Sequence, residues 1–269
     1  MAQRWFIFWL LVALTASAAL GAENAPADRL ATVLKTQKLR VCIWPDYYSI
    51  TYRNPKTQQL TGIDIDLARE LARDLGSQVA VEFVDSSFAR LIEDVTADRC
   101  DIAMFAIGIT EARAQHLRFT QPHLHSDIYA VTTRSNRRIQ GWKDIDQPGV
   151  VVAVAKGTYH EPVMREKLHQ ARLVALDTPF AREQEVESGR ADVFMTDYPY
   201  SQRMLANTDW ARLIAPPATY HLTSYAYAMA PGDDRWHRRV EEFVGAVKRD
   251  GRLLEAARRH RLEAIVKLD

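Results

Sequence analysis

The sequence predicts an α/β fold of two lobes, the second inserted in the first and joined to it by a two-strand hinge. Three observations lead there. Strand-like apolar runs alternate with helical stripes, the pattern of a mostly parallel sheet covered by helices. The alternation restarts after Pro148-Gly149 with a second strand–turn–helix set of the same organisation. Two β-rich segments, Tyr129 to Thr133 and Tyr225 to Met229, stand where the chain would cross between lobes and return. Lobe one is expected at residues 38–131 plus 225–269, and lobe two at 134–222.

Leu39 to Ile43 reads as the first strand. Asp64 to Leu75 reads as a helix, with Leu67, Leu71 and Leu75 on one stripe and Gly76 as its stop. Val79 to Val84 is the second strand, and Phe88 to Ala97 a helix turning Leu91, Ile92 and Val95 inward. Asp101 to Ala106 is a third, buried-looking strand. In the second set, the continuous apolar strand Val150 to Val154 leads through a Gly157-Thr158 turn to a helix from Glu161 to Leu168. Leu173 to Leu176 is a strand, Arg182 to Ser188 a helix closed by Gly189, and Asp192 to Thr196 a strand ending at Asp197. Past Ser224 to Ala230 come two helices, Trp236 to Arg249 and Leu253 to His260.

Met1 to Ala22 carries the marks of a secretory signal. Arg4 supplies the positive start, Trp5 to Leu14 the apolar run, and Ala16-Ser17-Ala18 or Ala19-Leu20-Gly21 a small-residue cleavage site. The run is shorter than the ~20 apolar residues of a membrane span, and no cysteine stands at the cleavage site to take a lipid. Export to the periplasm as a soluble protein is expected. The 269 residues hold 35 basic and 34 acidic side chains, and loss of the signal removes only Arg4 from that balance. Such neutrality argues against nucleic-acid binding, which shows as a basic stripe.

Open α/β sheets gather ligands at the carboxyl ends of their strands. Gly108 to Leu124, GITEARAQHLRFTQPHL, follows the third strand directly. Thr110 can cap a helix there, Glu111 suits the positive end of its dipole, and Arg113 falls on its first turn. A guanidinium in that place can grip both oxygens of a carboxylate, with the Gly108 or Ile109 amide assisting. Trp44, Tyr47 and Tyr48 form an aromatic cluster just past the first strand, suited to pack on a ligand. Phe88 would add another wall.

The Gly108–Leu124 segment resembles the ITxxR…F(S/T)xPY signature of the bacterial periplasmic solute-binding proteins of polar amino-acid type, family 3. Four further segments are similar to that family in order and spacing: Leu39-Arg40-Val41 with Pro45-Asp46-Tyr47-Tyr48, Thr61-Gly62-Ile63-Asp64-Ile65-Asp66-Leu67-Ala68, Lys156-Gly157-Thr158 with Met195-Thr196-Asp197, and Gly251-Arg252-Leu253. The resemblance implies a type II periplasmic-binding-protein fold whose cleft closes on a solute, a monomer without cofactor or metal, and the membrane subunits of an ABC importer as partner. It also implies roles: Arg113 and Thr158 for the ligand's carboxylate, and Asp197 for its α-ammonium. The chain departs from the pattern at Ala106 and Gly108, where the family often has serine or threonine. Trp44 stands where members that bind basic amino acids commonly have aspartate, although Asp46 is two residues away.

Cys42 and Cys100 fit two arrangements. Buried thiols packing as small hydrophobes are preferred; a disulfide is the other, because the resemblance makes their strands neighbours. The periplasmic cyclohexadienyl dehydratases share this fold and convert prephenate or arogenate to an aromatic product. The chain is similar to them at Asp98 to Met104, Asp144 to Val150 and Met195-Thr196-Asp197. Dehydration needs a general acid, and His160 or Glu161 are the candidates. His116, His123 and His125 are close in sequence, but ordinary hydrogen-bonded or solvated histidines suit them better than a metal site. No Gly-x-Ser-x-Gly elbow supports a hydrolase.

Overall fold

The computed structural model describes residues 28–269, so the expected signal at Met1 to Ala22 lies outside the described residues. The chain begins with α1 (Arg29–Thr36), capped by Asp28, whose carboxylate accepts the Ala31 amide at 2.9 Å. Next come β1 (Lys38–Ile43), the short β2 (Asp46–Tyr47), β3 (Thr51–Arg53) and β4 (Leu60–Thr61), and the helix α2 (Ile63–Leu75). Gly62 opens that helix at φ +135°, and a Cβ there would stand 2.2 Å from the Ile50 carbonyl oxygen, so only glycine fits. β5 (Ala80–Asp85), α3 (Leu91–Thr96), β6 (Ile102–Gly108), α4 (Glu111–Ala114), β7 (Arg118–Phe119) and β8 (Leu124–Ser126) complete the first pass.

The inserted part holds β9 (Tyr129–Thr133), β10 (Val151–Ala155), α5 (His160–Lys167), β11 (Arg172–Leu176), α6 (Pro179–Glu187), β12 (Val193–Thr196), α7 (Tyr198–Asn207) and β13 (Ala211–Ile214). The chain returns as β14 (Thr223–Met229), α8 (Asp234–Arg249) and α9 (Arg252–His260). The first sheet runs β5-β1-β6-β14-β7, with β8 also on β14, and the second runs β11-β10-β12-β9-β13. In each, three parallel strands are followed by an antiparallel one, so both lobes repeat one plan. Strand order reverses between β1 and β6 and again between β10 and β12. Those two switch points are where such sheets open a crevice.

Tyr129–Thr133 and Tyr225–Met229, expected as the crossings, are instead strands within the sheets. Their β-rich character serves pairing, β9 with β12 and β13, and β14 with β6. The chain passes between sheets at 127–128 and again at 215–222. Asp127 ties the two passages together: its carboxylate accepts the Ile128 and His221 amides at 2.7 Å each and the Tyr220 amide at 2.8 Å.

The preferred reading of Cys42 and Cys100 is corrected. The two are joined in a disulfide that pins β1 to the chain two residues before the neighbouring β6, with Cα atoms 5.6 Å apart. Pairing of those strands brings the thiols within bonding distance, and the bond closes a chain separation of 58 residues. A Cys42→Ser, Cys100→Ser double variant is expected to lose roughly 2–5 kcal/mol of stability, read as a lower denaturant midpoint against the oxidised parent.

Candidate functional site

Both switch points face one another across a closed cleft. Trp44, Tyr47, Phe88 and Ala106 line a small cavity there from the first lobe. Thr158, Tyr159, His160, Arg182, Asp197 and Tyr200 are among those lining it from the second. The space a water centre can occupy is about 20 Å³, room for one or two waters and far short of an amino acid. A mouth of about 250 Å³ opens outward, lined by Asp46, Ser86, Lys156 and Asp177 among others. Asp46 is thus at the rim, exposed, while Tyr48 packs on Tyr52 at 5.5 Å rather than lining the cavity.

Arg113 is buried at the start of the short helix that Thr110 caps. Its guanidinium donates to the Gly108 carbonyl at 2.8 Å and, across the cleft, to the Gly157 carbonyl at 3.1 Å. It lies 5.3 Å from the centre of the Phe88 ring. No carboxylate lies within salt-bridge distance of it among the described residues, and burial brings its pKa down to about 10, so it stays charged at neutral pH. The Ile109 amide, a candidate helper, is engaged by the Ser224 carbonyl at 3.0 Å.

Glycine at 108 has a local cause. A Cβ there would come within 3.0 Å of the Thr223 methyl and 3.2 Å of the Tyr159 ring. A ring from the second lobe therefore fills the space that a serine or threonine side chain would take. Gly157, at φ +77°, sits equally close in the other direction: a Cβ would meet the Ala89 backbone at 2.7 Å. Ala106 has φ +47°, beside a register shift of β14 against β6, and its amide reaches the Asp64 carboxylate at 2.8 Å. A non-glycine residue in that region is strained, and such strain concentrates at sites.

Asp197 caps α7 through one oxygen, which accepts the Tyr200 amide at 3.1 Å. The other oxygen faces the cleft and accepts the Tyr225 hydroxyl at 2.9 Å and, from the opposite lobe, the Tyr47 hydroxyl. Burial raises its pKa above the usual carboxylate value, with these donors opposing the rise. Burial also pushes the Tyr47 and Tyr225 phenols up, so both remain hydrogen-bond donors. Thr158 turns its hydroxyl to the Ala155 carbonyl at 2.7 Å and does not cap α5, whose N-cap residue is Tyr159.

His160 is buried in the cavity wall, and both ring nitrogens lack a hydrogen-bond partner. Burial first, then the charges of Arg182 and Arg113, hold it well below the usual histidine pKa; the nearby Thr196 backbone opposes this without reaching bonding geometry. The imidazole is neutral at working pH. Glu161 points away: its oxygens take the Gly157 amide at 3.2 Å and Arg165 at 2.9 Å. His123 sits behind the cleft, tilted against Tyr227 with ring centres 4.3 Å apart and 3.4 Å from Asp64, whereas His116 is exposed.

A histidine with a depressed folded pKa binds fewer protons than the unfolded chain between its folded value and about 6.5. Stability is therefore lost as pH falls through that window, at most roughly 1.4 kcal/mol per pH unit from this group. His160→Gln should flatten that part of the profile, seen as a smaller fall in melting temperature between about pH 6.5 and 5 than in the parent.

The sequence reading missed Arg182, Tyr200 and Tyr225, and gave Tyr159 no role beyond its place in the cleft-facing turn 157–161. Arg182 stands four residues before the buried Val186 on α6, a spacing that puts it on the inner face. No helix was expected at α7, although Pro199 in its first turn marks a helix start.

Comparison with known proteins agrees with this architecture. The family model described as bacterial extracellular solute-binding proteins, family 3, matches residues 39–262. A cyclohexadienyl dehydratase of Pseudomonas aeruginosa is 31% identical over 253 residues, 94% of this chain and 91% of that protein. A putative ABC transporter arginine-binding protein of Escherichia coli is 24% identical over 246 residues, 90% of this chain and 93% of that one. The crystal structure of an ancestral amino acid-binding protein, a precursor of cyclohexadienyl dehydratase, has a TM-score of 0.77 at 29% identity, covering 86% of this chain and 98% of that chain. With two lobes of one plan, a cleft between their switch points and a family match over most of its length, this chain belongs to the bacterial extracellular solute-binding proteins, family 3.

Proposed function

We propose that the protein captures an amino acid or similar small carboxylate between its lobes in the periplasm and presents it to an ABC importer. The observation that carries this is the pair of buried charges facing one cleft: Arg113 from lobe one, with no carboxylate in salt-bridge range among the described residues, and Asp197 from lobe two. An unpaired buried charge is costly; a zwitterion supplies both missing partners and rewards closure. Hydrogen bonds already bridging the lobes, Arg113 to Gly157 and Tyr47 to Asp197, mark the surfaces that would shut over it. The Cys42–Cys100 disulfide suits an oxidising compartment. The ABC transporter named in one relative supports the importer as partner.

Thermal-shift screening of the purified protein against amino acids and simple organic acids tests this, because a ligand bound only by the folded state raises the melting point. A rise with an amino acid supports capture. A flat response across the panel refutes it.

The second function is dehydration of a cyclohexadienyl acid, favoured by the 31% identity to a named dehydratase over nearly the whole chain. Of the acids first considered for it, His160 is held as the uncharged imidazole, a poor proton donor, and Glu161 faces away from the cavity. Asp197, with its raised pKa, is the carboxyl that lines the cavity and would have to serve.

A further inference from the structure

One polar side chain of the cavity wall is left over from the hydrogen bonding around it. His160, at the start of α5, is 4% exposed and lines the cavity, yet neither Nδ1 nor Nε2 has a partner among the described residues. The other polar side chains that the second lobe adds to the wall are all engaged. Thr158 donates to the Ala155 carbonyl, and Arg182 to the Met195 carbonyl and the Thr196 hydroxyl. The Tyr159 and Tyr225 hydroxyls lie 3.3 Å apart, Asp197 accepts from Tyr225, and Tyr200 donates to Glu183. Tyr159 also covers one face of the His160 ring, with centres 4.1 Å apart and planes 30° from parallel. The ring is thus packed by its face, and its two nitrogens remain open on the edge. His123, buried behind the cleft, differs in keeping one nitrogen 3.4 Å from Asp64.

A buried polar atom without a partner costs more than an ordinary hydrogen bond gains, so such atoms call for an explanation. The histidine ion pairs among the described residues are those of His123 and His260, so no carboxylate compensates a charge on His160. Burial without a counter-charge favours the neutral ring, in which one nitrogen donates and the other accepts. Resting on the ligand-capture function, we infer that His160 is a specificity residue that reads the ligand's side chain. The group it takes is uncharged and both donates and accepts hydrogen bonds: a carboxamide or a hydroxyl. A carboxylate only accepts, and an ammonium or guanidinium only donates, so each leaves one ring nitrogen unpaired. Trp44, Tyr47 and Phe88 line the same cavity from the first lobe and suit the apolar part of such a side chain. The present space is too small for an amino acid, so the side chain enters with the lobes parted and is enclosed as they shut.

The test is calorimetric titration of the purified protein with polar amino acids and with apolar counterparts of similar size. L-asparagine is set against L-leucine, L-glutamine against L-methionine, and L-threonine against L-valine; L-aspartate, L-glutamate and L-arginine complete the panel. Expected is that at least one of the three polar compounds binds, tighter than its apolar counterpart and than the charged compounds by roughly tenfold or more. The amide and threonine arms tell a carboxamide from a hydroxyl. His160→Phe and His160→Gln are titrated with the same panel. The phenylalanine variant keeps a ring against Tyr159 without nitrogens and should erase the preference. The glutamine variant restores one donor and one acceptor and should keep part of it. If an apolar or charged amino acid binds the parent best, or if His160→Phe leaves the polar preference intact, the inference fails while ligand capture stands. If nothing in the panel binds, both fail. Should His160→Phe not fold, the parent's polar-to-apolar ratios alone decide.

Discussion

Arg113→Ala is expected to weaken the binding of any carboxylate ligand by at least ~30-fold, the low end for removing one partner of a buried hydrogen-bonded charge pair. The same change should leave the ligand-free melting temperature at or near that of the parent. Arg113 is held by two carbonyls and the face of Phe88, but its charge is buried without a carboxylate in range among the described residues. Removing it relieves desolvation as it removes contacts, so the stability effects oppose one another. A residue there for packing would show the reverse, a lowered melting point with affinity retained. Titration and melting of the two proteins side by side separate these outcomes.

Asp197→Asn should weaken a zwitterionic amino acid by roughly ten- to a thousandfold, the span of 1.4 to 4.1 kcal/mol, while changing the affinity of its deaminated analogue little. Asparagine caps helices about as well as aspartate, so the bond to the Tyr200 amide and the start of α7 should survive. What is lost is the negative charge between the Tyr47 and Tyr225 hydroxyls. Equal losses for the zwitterion and its analogue would remove the ammonium role from Asp197. Competition titrations of both compounds on both proteins give the answer directly.

The regular parts of this fold were readable in the sequence because their signals are local. The apolar runs of β1, β6, β10 and β12 and the Leu67–Leu71 stripe of α2 are written in neighbouring residues, and each lies within a residue or two of its expected place. Arg113, Thr158 and Asp197 could be named because they follow strands directly, where the chain itself fixes their position. What escaped depends on contacts distant in sequence. Tyr225 reaches Asp197 only because β14 pairs beside β6, and Tyr159 comes over Gly108 only when the lobes meet. The disulfide likewise rests on strand pairing across 58 residues. The crossings were misplaced because a strand that leaves one sheet and a strand that enters the next have the same β-rich composition. Arg182 was legible in principle, four residues from Val186, but an arginine on a helix reads as solvated unless the partner face is known.

Capture without chemistry is the central claim, and the related dehydratase makes its opposite concrete. Prephenate and arogenate are incubated separately with the purified, disulfide-intact protein at neutral pH, and the mixture is then analysed for the starting compound, phenylpyruvate and phenylalanine. Expected is full recovery of the starting compound, including from samples where calorimetry shows it bound. Accumulation of phenylpyruvate or phenylalanine, in proportion to protein and abolished by Asp197→Asn, would make the protein an enzyme and contradict that claim.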